Sequence, residues 1–308
     1  MSEFIVTEVQ DGIARITLNR PRAINALTED MFIAMYEALT AWHDDDAVTA
    51  VELAGNGDRG FCAGADVRAL AETVRDGGPF LRYLETEYAL DIMLANYPKP
   101  VTSFLRGIAM GGGLGIGAHV DRRIVYADTV MAMPETKIGF FPDAGVMYQL
   151  SRAGAVGKHV ALTSATFTGG DALLMGLADE SADGDLPAPL FDESAAWIHE
   201  CYASDDVLEV VAALESHPSE QARAAARDLR ARSPFSVHVA MRALVRARRL
   251  HLAEVLAQDL RLAETVIPSG DFVEGVRALL VDKDNAPAWR HASLEDVPAD
   301  EVDRVFAY

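Results

Sequence analysis

Cysteine is nearly absent from this chain: Cys62 and Cys201 are the two in 308 residues. They supply neither a disulfide framework nor a zinc-ligand spacing, which fits a reducing compartment. Three catalytic signatures are missing as well. There is no Gly-x-Ser-x-Gly elbow, no His-Glu-x-x-His pair and no Gly-x-x-x-x-Gly-Lys loop, so serine hydrolases of that type, zinc peptidases and P-loop nucleotidases lack their residues. Apolar runs are broken by Gly, Asp or Arg well before the roughly 20 residues that a membrane-spanning helix needs. The opening residues, MSEFIVTEVQ, have no basic segment followed by an apolar run, so a secretory leader is not expected. Positive charge is scarce: 27 Lys and Arg stand against 47 Asp and Glu, a formal net charge of −20. Such a surface repels nucleic acid and anionic lipid. The expectation is a soluble cytoplasmic protein with neither as a partner.

Half of the residues are hydrophobic, enough for a sizeable core in one large domain or two smaller ones. Charged residues make up 24%, an ordinary share that argues against disorder of the whole chain. Phe4–Val9 and Ile13–Leu18 read as strands joined at Asp11-Gly12, a strong hairpin signal. Thr28 stands where it can cap a helix running to about Trp42, with Glu29 and Asp30 in its first turn. Val48–Leu53, Val101–Leu105, Arg123–Ala127 and Val130–Met133 read as further strands, and their alternation with helices predicts an α/β fold. The stretch 179–190, rich in Asp, Ala, Gly and Pro, reads as a surface loop. Beyond it the pattern is helical, notably over Glu220–Arg232 and Ser236–Thr265, punctuated by Pro234 and Pro268. A boundary near residue 205 divides an α/β core, 1–205, from a helical C-terminal region, 206–308.

Two glycine-rich turns stand out. Backbone N–H groups in such turns can converge on developing negative charge, because no side chain blocks the approach. One turn is Cys62-Ala63-Gly64-Ala65-Asp66; the other is Gly111-Gly112-Gly113, opening a helix whose N-terminus adds partial positive charge. A glycine triplet alone is more often a tight strand-to-helix turn than a site.

Three segments taken together are more specific. FCAGADVRAL, AMGGGLGIGAHVD and MPETKIGFFPDAG resemble the crotonase superfamily in order and spacing, and the resemblance spans most of the chain. It implies a spiral of ββα units followed by helices, and an acyl-CoA substrate. It implies that Ala65 and Gly112 donate the N–H groups of an oxyanion hole. Ala63, Asp66, Gly111 and Gly113 would belong to the substrate-binding segments, and Gly60 to Arg68 would line the adenine and pantetheine path. Coenzyme A carries phosphates, so this acidic chain needs a local basic patch; Arg20, Arg22 and Arg68 are the near candidates, Arg248 and Arg249 the later ones. The resemblance implies no metal or redox cofactor, since CoA arrives as part of the substrate. It leaves a homo-oligomer, a trimer or hexamer, open.

The carboxylates decide between branches of that superfamily. Its enoyl-CoA hydratases use two glutamates, one to activate water and one to deliver a proton. Where the first would stand, this chain has Gly115; the second matches Glu135. Eight residues after Glu135 comes Asp143, in a motif that resembles the 3-hydroxyisobutyryl-CoA hydrolases of valine breakdown. Glu72, six residues after Asp66, falls where a substrate-contacting glutamate of those hydrolases is expected. The tail, with Asp271-Phe272-Val273-Glu274-Gly275 and the run from Asp282 to Trp289, is also hydrolase-like. Val146 and Met147 replace glycines that usually follow the aspartate, which implies a pocket that is narrower or shaped for another acyl group. Two alternatives stay open: a hydratase or isomerase working with Glu135 alone, and a non-catalytic acyl-CoA-binding protein. Plainer roles exist for single residues. Asp143 suits a helix cap, Glu72 a helix surface, His119 a hydrogen-bonded core position and Cys62 a small buried hydrophobe.

Overall fold

A computed structural model describes residues 2–192 and 195–308. Strands β1 (Ile5–Gln10) and β2 (Ile13–Leu18) pair antiparallel across Asp11-Gly12, both at positive φ, as a two-residue hairpin turn requires. Helix α1 (Glu29–Trp42) follows Thr28, which takes the extended backbone of an N-cap although its hydroxyl makes no capping bond; Glu29 and Asp30 supply the favourable first-turn charge instead.

Three strand pairs then repeat one theme. They are β3 (Ala50–Gly55) with β4 (Gly60–Cys62), leading into α2 (Val67–Arg75) and α3 (Phe80–Ala95); β5 (Val101–Leu105) with β6 (Ile108–Met110), leading into α4 (Gly112–Ala118); and β7 (Arg122–Val125) with β8 (Val130–Ala132), leading into α5 (Met147–Arg152) and α6 (Gly154–Thr163). Next come β9 (Phe167–Thr168), α7 (Gly169–Met175) and β10 (Glu180–Ser181). The first member of each pair joins a six-stranded sheet ordered β1-β2-β3-β5-β7-β10, and the second joins a four-stranded sheet ordered β4-β6-β8-β9. Successive turns pair in parallel, β3 with β5 and β5 with β7, β4 with β6 and β6 with β8. This is the spiral of ββα units that the motifs implied, its helices covering the parallel strands.

Helices α8 (Ala196–Cys201), α9 (Val207–Ser216), α10 (Glu220–Arg230), α11 (Pro234–Ala247), α12 (Leu252–Val266), α13 (Asp271–Val276) and α14 (Ala299–Val305) complete the chain, with a π-helical turn at Arg277–Val281. The stretch Ser236–Thr265, helical in pattern, forms two helices: α11 starts on Pro234 behind the capping hydroxyl of Ser233, and α12 starts after His251. The C-terminal helices fold back onto the spiral, α12 on α3, α13 on α2 and α11 on α5, and all share one hydrophobic core. That return brings Asp259 and Phe272 to the site described next. Among the described residues no helix is long and apolar enough to cross a membrane.

Candidate active site

The turn after β4 and the turn after β6 meet. Gly111 stands at the start of α4 with φ 52° and ψ −132°, backbone that only glycine adopts readily, and this swings the chain from strand into helix. The position a Cβ on Gly112 would take lies 3.6 Å from the Ala65 nitrogen, so the two turns are within contact of each other. Among the described residues, neither the Ala65 nor the Gly112 N–H donates to a backbone carbonyl. Gly113 serves packing: a Cβ there would lie 2.7 Å from the Cys62 carbonyl oxygen, so glycine lets α4 close on β4. The Cys62 thiol is fully buried and pushed up to about 12 by burial, which keeps it protonated and inert.

A cavity of about 220 Å³ opens at this junction, walled by Ala63, Ala65, Gly112, Phe140 and Phe272 among others. Three carboxyls line it: Glu87 from α3, Glu135 from the short 3-10 turn Glu135–Ile138, and Asp143 from the turn before α5. They are 2%, 6% and 7% exposed. Asp143 accepts a 2.5 Å hydrogen bond from the Tyr88 hydroxyl. Glu135 has one oxygen, Oε2, buried without a hydrogen-bond partner among the described residues. A Cβ on Gly111 would stand 2.9 Å from Glu135 Oε1, and one on Gly112 would collide with Glu87 Oε1. The glycine triplet therefore does two jobs: it turns the chain, and it makes room for two acids beside the free N–H groups.

Burial and mutual repulsion hold these acids above the usual carboxylate range. Asp143 is pushed up to about 6, chiefly by burial, with the Tyr88 hydroxyl and local backbone N–H groups limiting the rise. Glu135 is raised well above its ordinary value by burial and then by Asp143; Glu87 by burial and then by Asp143, Asp91 and Glu135. The acids titrate as a set, and Asp143, with its hydrogen-bond donors, is the readiest to ionise.

Of the residues singled out from the sequence, Ala63, Ala65, Gly111, Gly112, Glu135 and Asp143 come together around this cavity. The others lie elsewhere. Glu72 is exposed on α2 and does not reach the cavity; the third acid there is Glu87. Asp66 caps α2 and pairs with Arg20 at 2.8 Å, while Arg22 is exposed on the turn Pro21–Ala23. Val146 and Met147 turn wholly into the core and form no part of the cavity wall, so they do not narrow it. His119 is buried and hydrogen-bonded to the Ala144 carbonyl at 2.7 Å. Burial lowers it to about 4, which keeps the ring neutral at ordinary pH. Glu87, Tyr88 and Asp91 escaped the sequence reading, yet a signal for them exists. Tyr83, Leu84, Glu87, Tyr88, Asp91 and Leu94 form one buried stripe of α3, so two acids occupy core positions of an amphipathic helix. A larger groove, about 700 Å³, lies between α9, α11 and α14, but its acids are engaged: Asp303 pairs with Arg242, Asp205 with Lys158 and Arg248, and Asp206 caps α9.

The sequence model of a family described as enoyl-CoA hydratase/isomerase matches residues 13–188 and 180–306. This chain belongs to the enoyl-CoA hydratase/isomerase family. Its relatives include the 3-hydroxyisobutyryl-CoA hydrolase, mitochondrial, of Gallus gallus, 33% identical over 98% of this chain and 88% of that protein. Among solved structures, a carnitinyl-CoA dehydratase from Mycobacterium thermoresistibile is 42% identical with a TM-score of 0.94, covering 100% of this chain and 97% of that one. An enoyl-CoA hydratase from Rhodobacter sphaeroides 2.4.1 is 32% identical with a TM-score of 0.95, covering 99% and 97%. Membership of the enoyl-CoA hydratase/isomerase family agrees with the spiral.

Proposed function

We propose that the chain is a CoA thioester hydrolase acting on a short 3-hydroxyacyl-CoA, with 3-hydroxyisobutyryl-CoA of valine catabolism the leading candidate. The observation that carries this reading is the meeting of Glu135 and Asp143 with the free N–H groups of Ala65 and Gly112 in one cavity, while position 115 brings no acid. The relatives named as hydrolases support it. The small cavity suits an acyl group of a few carbons, since drug-sized ligands need about 300–1,000 Å³.

In this reading the thioester carbonyl oxygen accepts from the Ala65 and Gly112 N–H groups, an oxyanion hole in which one donor contributes about 3–4 kcal/mol to lowering the barrier. Two routes lead on. In one, a Glu135 oxygen bonds to the carbonyl carbon, the C–S bond breaks, and water then cleaves the mixed anhydride. In the other, Glu135 takes a proton from water, which attacks directly. In both, the thiolate leaves and is protonated, and Asp143 positions the 3-hydroxyl or the water and passes the proton. Neither route calls on a metal or redox group. Single-turnover hydrolysis in ¹⁸O-labelled water separates them: label in the Glu135 carboxylate supports the anhydride, and unlabelled Glu135 removes it.

The phosphates of CoA are assigned to Arg68, which follows the cavity-lining Val67 and makes no ion pair among the described residues, with Arg22 as second candidate. A cytoplasmic setting and a trimer or hexamer complete the proposal, the first supported by two free, buried thiols and checked by fractionation, the second checked by light scattering.

A second reading, hydration of an enoyl-CoA or the reverse dehydration of a 3-hydroxyacyl-CoA through Glu135, is favoured by the solved structures named as a dehydratase and a hydratase. The two are separated by incubating the protein with crotonyl-CoA and with 3-hydroxyisobutyryl-CoA and following free thiol. Thiol release from the second supports hydrolysis. Fast hydration of crotonyl-CoA with no thiol release overturns it.

A further inference from the structure

Behind Asp143 lie two acids that the reaction above does not use. Asp91 on α3 and Asp259 on α12 are both 0% exposed. Both oxygens of Asp91 and Oδ1 of Asp259 are buried without a hydrogen-bond partner among the described residues; Asp259 Oδ2 accepts the Gly145 N–H at 3.0 Å. Asp91 Oδ2 lies 3.2 Å from where a Cβ on Gly115 would stand, so this carboxyl presses against α4 in the space a longer side chain at 115 would fill. The turn between these acids and the cavity is unusual: Ala144 at φ 50° and Gly145 at φ 72° are consecutive left-handed residues. Three elements hold it. The Tyr88 hydroxyl of α3 donates to Asp143, Asp259 of α12 accepts from Gly145, and His119 after α4 bonds the Ala144 carbonyl. The His119 partner on the other side is the Gln149 amide at 3.0 Å.

The titratable groups facing the two acids are Asp143, Glu87, Tyr88 and Tyr308, together with each other. Among the described residues no cation pairs with either acid; Arg246 and Arg261 stack on the Tyr308 ring, and His119, which borders the same turn, is lowered to about 4 by burial. An ionised carboxylate without a counter-charge in such a dry place is strongly disfavoured against its neutral form.

We propose that Asp91 and Asp259 are positioning residues that act through Asp143: both are held as neutral acids, Asp259 bracing the Asp143–Gly145 turn through the Gly145 N–H and Asp91 filling the space behind it against α4. The kinetic arm of this inference rests on the hydrolase reading; the spectroscopic arm does not. Burial is the first cause that raises both groups, which agrees with the geometry. When the pH is high enough to ionise either acid, negative charge appears directly behind Asp143, the brace is pushed apart, and turnover falls.

The test uses the full-length protein and its D91N and D259N variants, since Asn reproduces the shape of a neutral Asp without its proton. Infrared spectra at about pH 8 read the carbonyl stretch of protonated carboxyls, well above the ordinary carboxylate range. The expected result is a protonated-carboxyl band in the parent protein that loses intensity in each variant. In the pH profile of kcat, the acid limb near pH 6 stays within about 0.3 unit while the alkaline limb moves up by about one unit or more. A merely structural role would lower kcat without moving either limb. The inference is overturned if the parent protein lacks the band, if neither variant reduces it, or if the acid limb drops by about one unit, as removal of a nearby negative charge would cause. Should the parent protein release no thiol from any acyl-CoA, the hydrolase reading falls and the infrared result still decides this one.

Discussion

Glu135 carries most of the chemistry at the scale of single residues. Glu135→Gln keeps its shape but removes both base and nucleophile, so kcat should fall by about 10²–10⁴-fold, with KM changed little. Thermal stability should not fall with it, because the amide relieves a raised, buried carboxyl. Steady-state thiol release and a melting curve check both. Asp143 sets the first acid limb of the pH profile. It must lose its proton to act as an acceptor, and burial holds its pKa at about 6, so kcat should rise through about pH 6 and go on rising above it as Glu135, held higher, ionises. Asp143→Asn should abolish that limb. An acid limb near pH 4 in the parent protein would show that Asp143 is not the group being titrated. These two acids were legible in the sequence because they sit in a contiguous motif. Glu87 and Asp91 left only the trace of two acids on the apolar stripe of α3, and Asp259 drew no notice, because the roles of all three depend on packing between α3, α4 and α12. Glu72 drew attention by its distance from Asp66, yet α2 turns that position outward.

Among elements, α4 and the turn before α5 are fitted to each other through Gly115. A Cβ there would lie 2.7 Å from the Ala144 Cβ and 3.4 Å from the Ala144 carbonyl oxygen. The glycine thus does more than lack an acid: it admits the turn that presents Asp143. Gly115→Glu should not yield a hydratase. It should displace the Asp143 turn, lower stability by about 1–3 kcal/mol through overpacking, and reduce thiol release without raising crotonyl-CoA hydration. Denaturant melts and the two assays decide it; a folded variant with strong hydration would contradict the steric coupling. The spiral was legible at this scale because hairpin, glycine turns and alternating strands each have local signatures. The break between α11 and α12 was not, because Arg248 to His251 contains neither Gly nor Pro and the apolar period runs across it. Tertiary packing decides it.

For the whole molecule, pH should act on stability through two opposed sets of acids. Glu87, Asp91, Glu135, Asp143 and Asp259 have raised pKa values, so the native state binds their protons more tightly than the unfolded chain does. Their protonated forms add stability relative to the unfolded state, and that is lost as pH rises from about 4 through the folded values. Asp205 and Glu295, lowered to about 2 by bonds from Arg248 and Arg230, work in the other direction and lose their contribution only as pH falls below about 4. Both are substantially exposed, so their effect is screened and small. The urea midpoint should therefore be higher at about pH 5.5 than at about pH 8.5, and D91N should flatten the difference. A midpoint that rises with pH over this range would contradict the buried-acid cluster. The overall acidity of the chain was plain from its composition; that a group of acids is folded inside it was not, since composition does not distinguish surface from core.

The most direct test is free-thiol release from 3-hydroxyisobutyryl-CoA, set beside crotonyl-CoA hydration, in the parent protein and in Glu135→Gln. Catalytic hydrolysis that falls by at least about 10²-fold in the variant, with little hydration in either protein, is the predicted result. Rapid hydration without thiol release, or hydrolysis that survives the loss of Glu135, would contradict it.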